Sequence, residues 1–320
     1  MLSKSILENY SLDTHRLILI DSHFGTEIFL LETGNSKYIV KTMPLCMDGV
    51  ENEGYITEYL LNHGVKVARL LKTNDGRYSV QANDMQFHVQ EFIEGETLKV
   101  NTAPDWFLEK SADILGKIHQ ILKSYDELKI NFGEYFFNLS TVDGAIQHYS
   151  VKLDEALQQK EPSMIFDLEE RIRHLKRLSE FDIDVTKMTY TNSHGDFHIG
   201  QIIKQDRELT VIDWTSACKL PASLEIIMSY TTADPECKYG KIDGERLKKY
   251  ISGYLKHATL SEYDLQIMPY IFYFQQIICH YPPPYDFVAE SYKPICDLIN
   301  RFTNWLYENV DTLSKELCKI

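Results

Sequence analysis

The sequence predicts an α+β protein in which a small antiparallel sheet is followed by a larger, mainly helical part. Short apolar or β-branched runs separated by glycine turns lie near the amino terminus, and they are typical of a β-meander. Beyond residue 104, apolar residues recur three and four positions apart, which is typical of helices packed on a core. At 320 residues, 44% hydrophobic and 25% charged, the chain has the composition of a globular protein with two lobes or domains.

The predicted sheet begins with three strands of a meander. These strands are Leu17 to Asp21, Glu27 to Glu32 and Tyr38 to Lys41. A turn that contains Gly25 separates the first two, and Gly34-Asn35 makes a tight turn into the third. The third strand therefore ends on a lysine.

A helix and a further strand follow the meander. Residues 51–63 are predicted to be helical, because apolar side chains recur at helical spacing before a glycine. Met85 to Ile93 is predicted as a strand that ends at the glycine turn of residues 94–97. We place the boundary at this turn, which divides the chain into domains of residues 1–95 and 96–320.

The second domain is predicted to be mainly helical. Leu108, Ala112 and Leu115 begin an apolar stripe that identifies its first helix. Helices are predicted over residues 104–125, 146–159, 165–181, 245–257, 262–281 and 287–310. The last two are separated by three consecutive prolines, which cannot continue a helix.

The strongest chemical pattern lies between Thr191 and Trp214. Asp196 and Asp213 flank a predicted hairpin, and the amide of Gln201 stands between them in the chain. Phosphoryl transfer to a small hydroxyl compound needs a carboxylate that orients and deprotonates the acceptor, and oxygen ligands that hold magnesium on the nucleotide. Because a hairpin folds its two ends together, the pattern predicts one site that contains both carboxylates.

Residues 194–201 read H-G-D-F-H-I-G-Q, which resembles the H-G-D-x-x-x-x-N loop of the aminoglycoside phosphotransferase and choline kinase-like family. Members of that family are small-molecule kinases with the protein-kinase fold. The resemblance implies a bilobal fold, Asp196 as the catalytic residue, and Gln201 and Asp213 as ligands of Mg²⁺, with ATP or GTP as co-substrate. Gln201 replaces the usual asparagine and offers the same amide oxygen on a longer arm.

The resemblance also assigns roles in the first domain. Lys41 occupies the position of the kinase lysine that contacts the α- and β-phosphates. Glu53, seven residues before a leucine as in the family pattern, is its predicted partner, and Glu58 is the alternative. Gly25 marks a degenerate phosphate loop with a single glycine, so backbone N–H groups of that turn are expected to assist Lys41.

The strand that ends at residue 93 resembles the hinge of the family, which precedes an x-G-x-x-L segment. Its extended backbone at Glu91 and Ile93 is expected to face the adenine edge, with Phe92 near the ring. After Asp213, the segment from Lys219 to Glu225 resembles the family's P-x-x-D-L segment but has no aspartate in register. The usual role of that aspartate is therefore not assigned to Glu225.

Two other interpretations compete with an active kinase. His194 and His198 flank Asp196 in a pattern that a zinc or di-metal hydrolase also uses, although the other histidines show no matching spacing. Alternatively, the fold is kept as a catalytically inactive binding or structural module, as in spore-coat relatives of the family. The replacement at Gln201 favours this second alternative, whereas the joint presence of Lys41, Glu53 and both aspartates favours catalysis.

The charge and composition of the chain indicate which classes of partner it binds. The formal charge is −14, from 33 basic and 47 acidic residues, which is unfavourable for nucleic-acid binding and favours a cationic acceptor such as an aminoglycoside or amino alcohol. No apolar run approaches membrane-spanning length and no signal-peptide pattern precedes Asn9, so a cytoplasmic protein is expected. The six cysteines form no C-x-x-C pair. The sequence predicts no oligomeric state.

Overall fold

The computed structural model describes residues 2–13, 16–23, 25–45, 49–82, 84–134, 136–283 and 288–319. The chain divides into two compact units. The sheet unit comprises residues 1–98, 194–196 and 200–217, and the helical unit comprises residues 99–193, 197–199 and 218–320. The sheet unit thus includes most of the segment that carries the H-G-D pattern, while the predicted domain boundary at residue 95 stays a prediction.

The secondary-structure elements are named in chain order. Up to residue 97 they are α1 (Leu2–Tyr10), β1 (Arg16–His23), β2 (Thr26–Glu32), β3 (Lys37–Pro44), α2 (Val50–Asn62), β4 (Ser79–Ala82), β5 (Met85–Glu91) and β6 (Glu96–Thr97). They continue as α3 (Asp105–Leu122), α4 (Leu139–Gln159), α5 (Pro162–Leu178), β7 (Tyr190–Ser193), β8 (Ile202–Gln205), β9 (Glu208–Val211), β10 (Cys218–Pro221), α6 (Ala222–Ala233), α7 (Gly244–Tyr254), α8 (Glu262–Gln275) and α9 (Lys293–Leu317).

An antiparallel sheet with the strand order β1-β2-β3-β5-β4 forms most of the sheet unit. One face of this sheet is covered by α1, a helix that the sequence analysis did not predict, whose Ile6 and Tyr10 pack with Val40 of β3 and Val89 of β5. The Tyr10 hydroxyl also donates to the carbonyl of Tyr78 at 3.0 Å. This packing defines one apolar face of the central strands.

The other face of the same strands carries polar side chains. Lys41 of β3 lies directly opposite His88 of β5 in the strand register. Because side chains alternate along a strand, Lys41 and His88 share the face opposite to Val40 and Val89. Both are buried, and so is Glu53 of α2. The sheet therefore presents one buried apolar face and one buried face with ionisable groups.

The hairpin predicted after the H-G-D loop is present as β8 and β9, which pair antiparallel and are joined on one side by β6. Gln201 lies in a 3-10 turn before β8, and Asp213 lies two residues after β9. The preceding strand, β7, pairs instead with β10 in the helical unit. The loop with Asp196 thus enters the hairpin and Asp213 follows it, as the pattern predicted.

The helical unit contains the predicted helices and one, α6, that was not predicted. Its contacts include the pairs α4–α5, α8–α9, α3–α7 and α6–α8. The predicted helix of residues 262–281 changes after α8 into a π-helical segment, Gln276–His280. Four positions used in the sequence analysis lie outside the described residues. They are Phe24 in the turn that contains Gly25, Cys46 among the six cysteines, Pro284 in the proline run, and Phe287 at the expected start of the last helix. No helix in the described ranges has a stretch long and apolar enough to span a bilayer.

Candidate active site

Asp213 is the centre of a set of charged and polar contacts in the sheet unit. The ammonium of Lys41 donates to its Oδ1 at 2.5 Å, and the hydroxyl of Thr215 donates to the same oxygen at 2.7 Å. Burial by itself would raise the pKa of Asp213, but the ammonium and these hydrogen bonds outweigh burial and lower the pKa to about 2. Asp213 is therefore ionised at neutral pH.

The backbone at Asp213 has a left-handed conformation, with φ 62° and ψ 71°. Only a few per cent of non-glycine residues adopt positive φ, and aspartate is among the residue types that tolerate it. The segment leaves β9 here and enters a short 3-10 turn that begins at Trp214. Because of this turn, the carboxylate of Asp213 contacts Lys41 and Thr215, whereas the N–H of Trp214 donates to Glu53.

The loop with Asp196 is tied to the segment before Asp213 by two hydrogen bonds. The N–H of Ile212 donates to the carbonyl of Gln201 at 2.9 Å, and Nε2 of His194 donates to the carbonyl of Ile212 at 2.9 Å. The side-chain amide of Gln201 then lies 3.5 Å from Oδ2 of Asp196. The structure thus brings Asp196 and Gln201 next to the strand end that carries Asp213.

His194 has a scaffold role in this arrangement. Its Nδ1 accepts from the N–H of Asp196 at 3.3 Å while Nε2 donates to Ile212, which requires the neutral tautomer with the proton on Nε2. The ring also packs against Trp214, with the ring centroids 4.6 Å apart. In the described ranges no group of three or more histidine, cysteine or carboxylate side chains is arranged to hold a metal ion, so the hydrolase interpretation gains no support.

The predicted contact between Lys41 and Glu53 is replaced by other contacts in the part of the chain that the structure describes. Lys41 pairs with Asp213, whereas Oε1 of Glu53 accepts the N–H of Trp214 at 2.9 Å. Burial raises the pKa of Glu53 to about 7, against the opposing effect of the Lys41 ammonium. The lysine therefore pairs with the carboxylate that is fully ionised. The alternative, Glu58, is exposed to solvent and binds Lys72 and Tyr78.

The first turn of α2 lies against the segment that follows Asp213. Gly49, which precedes the helix, has φ 94°, and a Cβ built on it would be 2.8 Å from the carbonyl oxygen of Thr215. The N–H of Glu53 donates to the carbonyl of Gly49 at 2.9 Å. A glycine is therefore required here both by the backbone angle and by the space.

The predicted nucleotide-binding residues lie around the same sheet. Gly25, between β1 and β2, has φ 78°, as expected for a tight turn. The N–H of Glu91 already donates to the carbonyl of Arg69 at 2.9 Å, which corrects the expectation that this group is available to adenine. The Phe92 ring lies 5.5 Å from the ammonium of Lys37, and Ile93 follows the end of β5.

The donor set fits a magnesium ion. Asp213 supplies an ionised carboxylate and Gln201 supplies an amide oxygen, and hard oxygen ligands of this type are those that Mg²⁺ prefers. Gln201 is held in place through its own backbone carbonyl by Ile212. These two residues are the ones that would hold the ion.

The sequence analysis missed a buried network in the helical unit. Glu225, in the first turn of α6, places Oε2 at 2.6 Å from Nε2 of His119, and the Tyr254 hydroxyl lies 3.0 Å from Nδ1 of the same ring. The hydroxyl of Ser193, the residue before the H-G-D loop, lies 3.2 Å from Nε2 of His119. The sequence signal for this network was Glu225, the single charged residue of α6, because a buried carboxylate requires a polar partner.

Comparison with known proteins shows the family of this chain. The model of the phosphotransferase enzyme family (APH) matches residues 17–259, which is 243 of 320 residues. No curated protein matches the chain in sequence.

Solved structures share the fold at low sequence identity. The amicoumacin kinase hAmiN, in complex with AMP-PNP, Ca²⁺ and Ami, is 15% identical with a TM-score of 0.68, and the match covers 97% of this chain and 93% of that one. An aminoglycoside phosphotransferase from Alicyclobacillus acidocaldarius is 13% identical with a TM-score of 0.65, covering 100% and 97%. A microcompartment-associated aminopropanol kinase is 13% identical with a TM-score of 0.60, covering 98% of both chains.

The fold class predicted from the sequence is confirmed by these matches, as is the resemblance to aminoglycoside phosphotransferases. An antiparallel sheet in the amino-terminal part and a mainly helical remainder are common to the prediction and the structure. The chain belongs to the phosphotransferase enzyme family and is a small-molecule kinase with the protein-kinase-like fold.

Proposed function

We propose that the protein transfers the γ-phosphoryl group of ATP or GTP to a hydroxyl group of a small molecule. The observation that carries the proposal is the joint arrangement of Lys41 on Asp213 and of Gln201 beside Asp196, linked through the backbone of Ile212. The pair of Lys41 with Asp213 and the pair of Gln201 with Asp196 supply the charges and the proton acceptor that phosphoryl transfer needs. Family membership supports the same reaction class.

Asp196 is the proposed catalytic residue. Its carboxylate orients the acceptor hydroxyl and takes up its proton as the oxygen attacks the γ-phosphorus atom and the bond to the bridging oxygen breaks. The backbone of Asp196 is held by His194, so the carboxylate starts from a defined position. Such positioning contributes much of the rate in phosphoryl transfer, because little covalent chemistry falls to the protein.

The remaining residues bind the nucleotide. Lys41 neutralises the α- and β-phosphates, and Glu53 is a nearby carboxyl group that offers the ammonium a second partner when it leaves Asp213. Asp213 and Gln201 would hold Mg²⁺, which when bound neutralises charge on the phosphate oxygens. Gly25 belongs to the turn proposed to cover the phosphates. The backbone carbonyl of Glu91 and the backbone of Ile93, with the Phe92 ring, form the proposed adenine side.

The acceptor is proposed to be a cationic hydroxyl compound, such as an aminoglycoside or an amino alcohol. The net charge of −14 supports this class, because an acidic protein raises the local concentration of cations. Two structural neighbours are named as an aminoglycoside phosphotransferase and an aminopropanol kinase, and both names refer to acceptors of this class. We further propose that the protein acts in the cytoplasm and binds neither nucleic acid nor membrane.

The second candidate is an inactive kinase-like binding or structural protein. The specific observation in its favour is Gln201, whose amide lies 3.5 Å from Asp196 in the place of the usual asparagine. An inactive module would nevertheless have no requirement for a half-buried ion pair between Lys41 and Asp213. The two candidates differ in whether nucleotide binding depends on magnesium.

The first experiment is isothermal calorimetry of ATP and GTP on the purified protein, with and without Mg²⁺. We expect saturable binding that magnesium strengthens, followed by acceptor-dependent nucleotide consumption with amino alcohols and aminoglycosides. Binding without any turnover over a broad acceptor panel would favour the inactive candidate. Absence of binding of either nucleotide would contradict the proposed function.

A further inference from the structure

A buried histidine stands beside the proposed nucleotide site and has no role in the mechanism above. His88 of β5 is 0% exposed, and it lies directly opposite Lys41 in the strand register. Its Nδ1 is 3.5 Å from Oε2 of Glu53, which is itself 1% exposed. The two side chains therefore meet in a space without water access, on the face of the sheet that carries Lys41.

The atoms at this contact have no other partner. In the described residues, Oε2 of Glu53 and both ring nitrogens of His88 are buried without a hydrogen bond. Buried polar atoms without a partner are rare, because each costs a large part of its hydration free energy. The other carboxyl oxygen, Oε1, is already held by the N–H of Trp214 at 2.9 Å. Nδ1 of His88 is thus in place to hold the second oxygen of Glu53.

The charge states of the pair are compatible with one shared proton. Burial lowers the pKa of His88 to about 3, and the nearby Lys41 ammonium acts in the same direction, so the ring is neutral. Burial raises the pKa of Glu53 to about 7, so its carboxyl group keeps a proton below that pH. The separation of 3.5 Å between Nδ1 of His88 and Oε2 of Glu53 lies just beyond the usual hydrogen-bond range of about 2.7–3.2 Å.

We propose that His88 is a positioning residue for the nucleotide-binding lysine, acting through Glu53. His88 holds Oε2 and Trp214 holds Oε1, so the carboxyl group keeps one orientation beside Lys41. This orientation provides a fixed second partner for the ammonium when Lys41 leaves Asp213 for the phosphates. The proposal rests on the proposed function, because its consequence is a change in nucleotide affinity.

The test is a double-mutant cycle between His88 and Glu53 with nucleotide affinity as the readout. We expect His88→Phe, which keeps a ring but removes both nitrogens, to weaken magnesium-dependent nucleotide binding about tenfold by calorimetry. His88→Gln, whose amide can still contact Oε2, should restore a large part of the affinity. In a Glu53→Ala background, His88→Phe should have no further effect, because the group through which it acts is gone.

The matched control is His174→Phe. His174 is equally buried but lies in the helical unit, where its Nδ1 contacts the hydroxyl of Tyr273 at 2.6 Å. This variant should lower the melting temperature to a similar degree without changing nucleotide affinity. In turnover assays His88→Phe should raise the KM for nucleotide more than it lowers kcat, a division that a general loss of stability would not produce.

Three results would overturn the proposal: unchanged affinity in His88→Phe, equal effects of this substitution with and without Glu53, or no recovery in His88→Gln. A wild-type protein that binds no nucleotide would instead refute the proposed function. In that case the ¹⁵N shifts of the His88 imidazole decide the inference separately. A ¹⁵N shift that differs between the wild type and Glu53→Ala supports the contact between His88 and Glu53. An unchanged shift overturns the proposal.

Discussion

Single residues carry the chemistry of this site, and their environments assign them different states. Asp213, which is half-buried, and Glu53, which is buried, are both carboxyl groups near Lys41, yet the pKa of Asp213 is lowered to about 2 and that of Glu53 is raised to about 7. The difference follows from direct contact with the ammonium, which only Asp213 has among the described residues. One group is therefore an anionic ligand, whereas the other is a weak acid.

Substitution of Asp213 should remove the magnesium dependence of nucleotide binding. Asp213→Asn keeps the shape of the side chain but loses the negative charge, so we expect nucleotide affinity in Mg²⁺ to fall by about tenfold or more. Calorimetry with and without Mg²⁺ measures the change. Asp206→Asn, in the exposed turn between β8 and β9, is the matched control and should bind as wild type. Equal magnesium dependence in both variants would contradict the assigned role.

Substitution of Asp196 should separate binding from chemistry. Asp196→Ala is expected to lower kcat by about 10²- to 10⁴-fold, the usual contribution of a general base, while nucleotide affinity stays near that of wild type. Steady-state kinetics with a responsive acceptor and calorimetry give the two quantities. Turnover retained in this variant would show that another group takes up the proton.

The titration of Glu53 should appear in the pH dependence of stability. Its folded-state pKa of about 7 lies above the ordinary value of 4.5, so the fold binds this proton more tightly than the unfolded chain does. The resulting stabilisation is complete below about pH 4.5 and is lost as the pH rises through 7. Urea unfolding from pH 4.5 to 8 should therefore show a decline in the free energy of unfolding that Glu53→Gln makes shallower. Parallel curves would contradict the raised pKa.

At the scale of elements, the start of α2 is decided by a close approach between two segments. The sequence predicted a helix over residues 51–63, and the structure has it as Val50–Asn62. The same sequence contained no indication that Gly49 lies against the carbonyl of Thr215. That contact joins the helix to the segment after Asp213, and it explains why Glu53 reaches the N–H of Trp214.

Gly49→Ala should weaken both the fold and nucleotide binding. The new Cβ meets the Thr215 carbonyl at 2.8 Å and the backbone angle is left-handed, so we expect a loss of about 2–4 kcal/mol in the free energy of unfolding. Gly64→Ala separates the two causes, because Gly64 has φ 79° but a Cβ at that position would meet no atom within 4 Å. The Gly64→Ala control should lower the free energy of unfolding by only about 1–2 kcal/mol and leave nucleotide affinity unchanged. Equal losses in the two variants would show that the contact with Thr215 is unimportant.

At the scale of the whole molecule, the charge of −14 is the property that bears most directly on the acceptor. An acidic protein attracts cations over a distance that salt shortens to about 10 Å at 0.1 M ionic strength. The effect acts on association with the acceptor rather than on the chemical step. A cationic and a neutral acceptor should therefore respond differently to salt.

The KM for an amine-bearing acceptor should rise by about two- to tenfold between low and moderately high salt, while that for an uncharged hydroxyl compound should stay nearly constant. Steady-state kinetics at two concentrations of sodium chloride, with nucleotide saturating, measure both values. An equal response of the two acceptors would remove the charge argument for a cationic substrate.

The sequence by itself determined the fold class, the family and the order of the chemical groups along the chain. The meander of β1 to β3 and the H-G-D loop were predictable because local patterns of apolar residues, glycine and carboxylates encode them. Helix limits were less predictable: α4 begins at Leu139, seven residues before the predicted start at Ile146, because its exposed first turns show no strong apolar period. The short helix α1 was missed although Leu2, Ile6 and Tyr10 recur at helical spacing and pack on the sheet.

Only the tertiary structure decided which charged groups pair. Lys41, Glu53, His88 and Asp213 come from four separate segments of the chain, and the preference of the lysine for Asp213 depends on burial and distance. Likewise, Glu225 and His119 lie 106 positions apart, yet they form one buried contact at 2.6 Å. Local patterns specify the elements, whereas the pKa of a buried group depends on neighbours that only folding brings together.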